Sequence, residues 1–152
     1  MGAALMESAG MKVQRQNFAV QSETRRQAID ITPRVRDIVI EAGVREGLVF
    51  ANCLHTTCSV LVIDSRPELF EDLSHMMGRF IEDECQYKHN DPRLSDCERG
   101  NATAHLRASL LGHGVAIGVS GGELLLDGSQ SILLAEWDGP RPRNVHVQIM
   151  GV

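Results

Sequence analysis

VAIGVSGGELLLDGSQSILLAEWDGPRPRNVHVQI, residues Val115–Ile149, is the stretch on which the fold class turns. Four short apolar segments, Val115–Val119, Glu123–Leu126, Ser131–Glu136 and Asn144–Ile149, are separated by Ser120-Gly121-Gly122, Asp127-Gly128-Ser129 and Asp138-Gly139-Pro140. Glycine opens left-handed backbone conformations, Asp and Ser bond to their own backbone, and proline fixes φ, so each separator is turn chemistry. Short strands joined by such turns predict an antiparallel meander, with no helix after residue 115.

The chain before Val115 is of another kind. Residues 1–14 read as a flexible segment and 15–152 as a single domain. Phe18–Gln21 alternates as a strand does. Thr32 is placed to cap a helix and Pro33 to open it; Val35, Ile38, Val39 and Ala42 then form one apolar stripe, closed by Gly43. Leu48–Leu54 reads as a strand buried on both faces, and Cys58–Ile63 as the next. Pro67–Phe80 is helical, with Leu69, Leu73, Met76 and Met77 on one side. Glu82–Gly100 is a long polar loop, and such loops are commonly functional. Thr103–Leu111 is a short helix expected to turn Leu106, Leu110 and Leu111 inward. Helices and strands mixed first and strands alone afterwards make an α+β protein rather than an alternating βαβ chain.

Composition removes several functions. The 152 residues carry a formal charge of −5, which argues against nucleic-acid binding, since that needs a basic face. No apolar run is long enough to span a membrane. Met1–Met11 lacks the basic start and apolar core of a secretory signal, so a cytoplasmic chain is expected, with Cys53, Cys58, Cys85 and Cys97 as reduced, mainly structural thiols. Only Lys12 and Lys88 among the fifteen cationic residues are lysines.

Of six histidines, His75, His113 and His146 sit where a structural role suffices. His55 stands at a strand end beside Thr56 and Thr57, His89 in the polar loop, and His105 in the first turn of a helix. The positive end of a helix dipole favours neutral imidazole, suited to a general base or a metal ligand. If the three converged, they would resemble a zinc-type triad with one open position. Glu136-Trp137-Asp138-Gly139-Pro140-Arg141-Pro142-Arg143 places two arginines around a proline, a candidate rigid clamp for an anion.

Four separated segments carry a family resemblance: His55-Thr56-Thr57-Cys58-Ser59-Val60; Tyr87-Lys88-His89; Gly100-Asn101-Ala102-Thr103-Ala104-His105-Leu106-Arg107 through Gly112; and Gln130 through Arg143 with a last strand ending in Gly151. In this order they resemble the YjbQ-like family, named for a secondary thiamine-phosphate synthase activity. The resemblance implies a twisted antiparallel β-sheet sandwich with two or three helices. It implies a homotrimer with sites near subunit boundaries and a small phosphorylated substrate, with neither nucleic acid nor membrane as partner. It makes His55, His89 and His105 the family's characteristic histidines, as catalytic groups or as ligands of a divalent metal, zinc or magnesium. Glu136 would act beside them, and Thr57, Asn101, Arg141 and Arg143 would bind substrate. The alternatives are a metal-dependent hydrolase of a small anionic substrate and a non-catalytic metal- or ligand-binding trimer. Asp127-Gly128-Ser129 stands where the family commonly has Gly-Thr-Trp, and Asp64-Ser65 where it often has Glu-Asn. Both departures bear on substrate identity, while the histidine set is intact.

Overall fold

The computed structural model describes residues 10–152. The elements run β1 (Lys12–Gln21), β2 (Gln27–Asp30), α1 (Thr32–Ala42), β3 (Gly47–Cys53), β4 (Cys58–Ile63), α2 (Pro67–Phe80), α3 (Ala102–Leu111), β5 (Gly114–Ser120), β6 (Glu123–Leu124), β7 (Ser131–Glu136) and β8 (Pro142–Gly151). A single 3₁₀ turn, Lys88–Asn90, lies in the long loop between α2 and α3. Of the segment expected to be flexible, residues 1–9 lie outside the described residues, and Lys12–Gln14 are already strand.

The strands form two antiparallel sheets, β1-β8-β3-β5-β6 and β2-β7-β4. The chain is a single α+β domain built as a two-sheet sandwich. The expected meander is not formed. Only β5 and β6 make a hairpin; β7 crosses to the smaller sheet and β8 returns between β1 and β3. β2, which the sequence reading passed over, is four residues long and pairs with β7.

The sandwich core is built by alternation. Val145, Val147 and Ile149 of β8 and Val49 and Ala51 of β3 meet Ile132 and Leu134 of β7 and Val60 of β4. The Val35, Ile38 and Val39 stripe of α1 packs onto the same core. Gly43 ends that helix at φ 61°, in the left-handed region that side chains avoid. Thr32 does not cap α1. Its hydroxyl accepts the Ile132 N–H of β7, and Asp30 Oδ1 takes the Thr32 N–H instead, so the helix start is tied to the sheet.

The strand buried on both faces is β7, not Leu48–Leu54. Leu133, Ala135 and Trp137 face away from the core, and Trp137 and Ala135 join a second cluster with Met77 of α2 and Ala104 and Ala108 of α3. On β3, Leu48 and Phe50 are 40% and 42% exposed. Of the three leucines of α3 expected inward, Leu111 packs against the second cluster and the other two turn outward. Ala104 and Ala108 let the helix backbone approach β4 and β7, where leucine would be too large, and Leu106 and Leu110 point outward. The same buried side carries Arg107, which donates to the Ile81 carbonyl and to Asp83 and so ties the chain leaving α2 against α3.

Candidate functional site

Glu136 continues the inward row of β7 after Ile132 and Leu134, and Arg143 heads the inward row of β8. The two charges therefore meet inside the sandwich, joining one sheet to the other. Glu136 is 0% and Arg143 1% exposed. Arg143 Nε donates to Glu136 Oε2 at 2.6 Å and its Nη2 donates to Oε1. Ser22 Oγ and the Asp138 N–H complete four hydrogen bonds to that carboxylate. Burial would raise the Glu136 carboxyl, but Arg143 and the other donors hold it below its ordinary value. With every good acceptor position filled, Glu136 is placed to position its neighbours, not to exchange protons with a ligand. Arg143 also donates to Thr57 Oγ1 at 2.9 Å, fixing the loop that carries His55.

The anticipated arginine clamp is thus divided. Arg143 is held inside, whereas Arg141, just before β8, is half-exposed and only 3.8 Å from Asp138. Asp138 is itself buried. Its carboxylate accepts Arg99 Nε and Asn101 Nδ2, each at 2.9 Å. Burial pushes this carboxyl up and the Arg99 and Asn101 bonds more than reverse it. Arg99 is a site residue that sequence reasoning left aside, because Arg99-Gly100-Asn101 reads as a turn, whereas Asp138 stands in the arginine–proline segment already quoted. Gly139, beside them, leaves room for the loop between β1 and β2: a Cβ there would overlap the Thr24 carbonyl oxygen and lie 2.7 Å from Ser22 Oγ.

The helix start at Asn101 has a borrowed cap. Asn101 turns its amide to Asp138 and accepts from Cys97, while Asn90 Oδ1 accepts the Ala102 N–H at 3.0 Å. That bond docks the 3₁₀ turn onto α3, and the preceding residue, His89, meets His105 edge-on with ring centroids 4.9 Å apart. The pair lines a hollow of about 380 Å³ with Tyr87, Lys88, Ala102 and Leu106. Burial and then His89 lower the His105 pKa, opposed by Asp138 and a hydrogen bond with the Thr56 backbone. Thr56 adjoins His55, whose Nε2 accepts the Asn144 N–H at 3.0 Å. Burial, Arg143 and Arg141 lower the His55 pKa too. Both rings are therefore biased toward the neutral form.

The fold brings His89 and His105 into contact and sets His55 beside Thr56, but it does not assemble a three-imidazole seat. Among the described residues no three His, Cys, Asp or Glu side chains gather as a metal-holding group. The lone pair of His55 Nε2 is already engaged. The residues as arranged do not fit a tridentate divalent metal.

Of the histidines read as structural, His146 bonds to Asn17 and His113 Nε2 is buried without a partner. His75 lines a separate cleft of about 790 Å³ with Arg26, Arg66 and Arg79, of which Arg26 and Arg66 pair with Asp83 and Asp64.

The comparisons agree with this architecture. Residues 16–152 match the family model described as UPF0047 protein YjbQ-like. The chain belongs to the YjbQ-like UPF0047 family. A UPF0047 protein of Archaeoglobus fulgidus is 37% identical over 133 residues, covering 88% of this chain and 98% of the relative. Another, from Methanothermobacter thermautotrophicus, is 31% identical over 141 residues, covering 93% and 94%. The crystal structure of a YbjQ-like protein of unknown function from Sulfolobus solfataricus superposes with a TM-score of 0.86 at 32% identity, covering 94% of this chain and all of that one. A YjbQ/UPF0047 structure from Clostridium acetobutylicum gives 0.78 at 30% identity, covering 88% and 98%. The four UPF0047 segments quoted from the sequence all fall within the matched region. No helix among the described residues of this YjbQ-like chain is long and apolar enough to cross a membrane.

Proposed function

We propose that this YjbQ-like protein is a small-molecule transferase of the thiamine-phosphate synthase type, joining a pyrimidine methyl diphosphate to a thiazole phosphate with release of pyrophosphate. The observation that carries the reading is the His89–His105 pair, two imidazoles in edge contact at the wall of a hollow that also offers Tyr87 and Lys88. A tyrosine ring and Leu106 suit a flat heterocycle, Lys88 suits its phosphate, and neutral His105 accepts or returns a proton at a ring nitrogen. Arg141, half-exposed beside Asp138, stabilises the departing diphosphate, while Arg143, Thr57, Asn101 and Glu136 hold the loops in place. No step is assigned to a divalent metal, because the donor set does not form a seat for one. Supplying both substrates to the purified chain should yield thiamine phosphate and pyrophosphate in equal amounts. Release of inorganic phosphate from simple phosphoesters, with no coupled product, would move the assignment to hydrolysis. Stoichiometric uptake with no turnover would make the protein a binder.

One observation favours the hydrolase reading. Trp137 is 1% exposed and donates its indole N–H to Ser59 Oγ, so it cannot stack on a substrate in place of the aromatic replaced at Asp127-Gly128-Ser129.

We also propose assembly as a homotrimer through the outer face of the larger sheet. Val13, Met150 and Leu48 are cross-strand neighbours there, all exposed, and Phe50 lies one row further along. Contiguous exposed apolar surface of this kind marks association sites. Sedimentation should give three times the chain mass, and Phe50→Glu should shift it toward the monomer; a wild-type monomer at micromolar concentration contradicts the assembly.

A further inference from the structure

Cys53 ends β3 and Cys58 begins β4, so one thiol belongs to each sheet, and the residues between them are Leu54-His55-Thr56-Thr57. The two Sγ atoms lie 3.0 Å apart, and both side chains are buried, at 4% and 0% exposure. Leu54 and Thr56 of the intervening loop are exposed. The loop is held from above by His55 to the Asn144 N–H and by Thr57 to Arg143. Cys85 and Cys97, the other two thiols, lie far along the chain in the loop between α2 and α3.

We propose that Cys53 and Cys58 are a redox-modification site, a dithiol that a hydroperoxide converts to a reversible disulfide closing the base of the His55 loop. The sulfurs need to approach by only about 1 Å to reach the ~2.05 Å bond. The two thiols share one hydrogen bond that either sulfur can donate; Cys53, the less buried of the two, is taken as the attacking thiolate. Its sulfur attacks one peroxide oxygen, the O–O bond breaks, and Cys53 sulfenic acid and hydroxide form. Cys58 sulfur then displaces the sulfenic oxygen, which leaves as water once the thiol proton is transferred. Two thiols and one hydrogen peroxide give one disulfide and two waters, with two electrons passing from sulfur to peroxide. A dithiol reductant reverses the bond by exchange. Closure fixes both ends of the segment that carries His55 and Thr56, and through Thr56 it bears on His105.

Trypsin isolates the pair. Trypsin does not cut between Arg66 and Pro67, so the peptide is Glu46–Arg79, which contains Cys53 and Cys58 and neither of the other thiols. The full chain, reduced and then treated with hydrogen peroxide, should yield this peptide lighter by two hydrogen atoms and closed to alkylation. After dithiothreitol it should accept two labels. If both thiols still alkylate at a dose that oxidises exposed Cys85, or if fragmentation places added oxygen on Cys53 or Cys58 rather than on Met76 or Met77, the proposal is overturned. Amide exchange on the wild-type chain tests the locking without any variant. Exchange at residues 54–57 should slow at least about tenfold on oxidation, while the middle of α2 is unchanged. Equal exchange in the two forms contradicts the locking.

Discussion

Replacing Glu136 by Gln keeps the side-chain shape and removes one charge and one acceptor oxygen at the centre of the inter-sheet tie. Arg143, 1% exposed, then faces an amide that both donates and accepts, and its own charge is left without a counterion in the interior. Removing one member of a buried pair costs about 3–5 kcal/mol, because the surviving charge stays desolvated. Ser22 Oγ and the Asp138 N–H also lose carboxylate acceptors, which keeps the estimate toward the upper end. Against a total stability of about 5–15 kcal/mol the loss is large. Urea unfolding followed by fluorescence of the buried Trp137 reads it directly: the midpoint should fall by about 2 M at unchanged slope. The double variant Glu136→Met with Arg143→Met should be much less destabilised than the two single changes summed. A Glu136→Gln loss below about 1 kcal/mol would refute the reasoning, because it would mean that water already reaches the pair.

Other consequences follow from the same contacts. Asn90→Ala removes the borrowed cap on α3 and should cost about 1 kcal/mol in urea unfolding, with exchange protection lost first at residues 88–90; unchanged protection there contradicts the docking role. Gly139→Ala forces a Cβ against Thr24 and Ser22 and should cost about 1–3 kcal/mol, measured the same way, whereas Gly128→Ala, with open space around it, should be near neutral. His55 and His105 are held below the ordinary imidazole pKa in the folded chain, so the unfolded chain binds more protons than the native one as pH falls through the imidazole range. Stability should therefore decline from about pH 7 toward pH 5, before the carboxylates Glu136 and Asp138 add their own loss at lower pH. Replacing both histidines by Gln should flatten the first decline; a decline of unchanged slope contradicts the assignment.

Much of the fold was legible because it rests on local chemistry. Pro67 opening α2, Gly43 closing α1 and the turns around β7 act over a few residues, and β4, α2 and β7 run over the expected residues. What the sequence hides is set by long-range packing. Glu123–Leu126 and Ser131–Glu136 look like consecutive hairpin strands, yet β7 departs to the other sheet, because its two apolar faces need cover from both the sandwich core and the α2–α3 layer. Leu106 and Leu110 look like a core stripe, but α3 turns Ala104 and Ala108 to the sheet and leaves those two leucines outside. At the site, His89 and His105 stand out by position, and they do meet. Arg141 and Arg143 look equivalent in sequence, and only the β8 register sends Arg143 inside. Asp138 and Arg99 are 39 residues apart, and nothing local in the chain announces that pairing.

In the proposed function, the hollow beside His89 and His105 performs the chemistry. The most direct test is the rate of thiamine phosphate formation by His105→Gln set beside His75→Gln, which alters the separate cleft at α2. Removing a positioned acid–base group should lower turnover by about 10²–10⁴-fold. That loss is expected for His105→Gln with unfolding by urea little changed, and wild-type turnover for His75→Gln. Equal turnover in the wild type and in His105→Gln would contradict it.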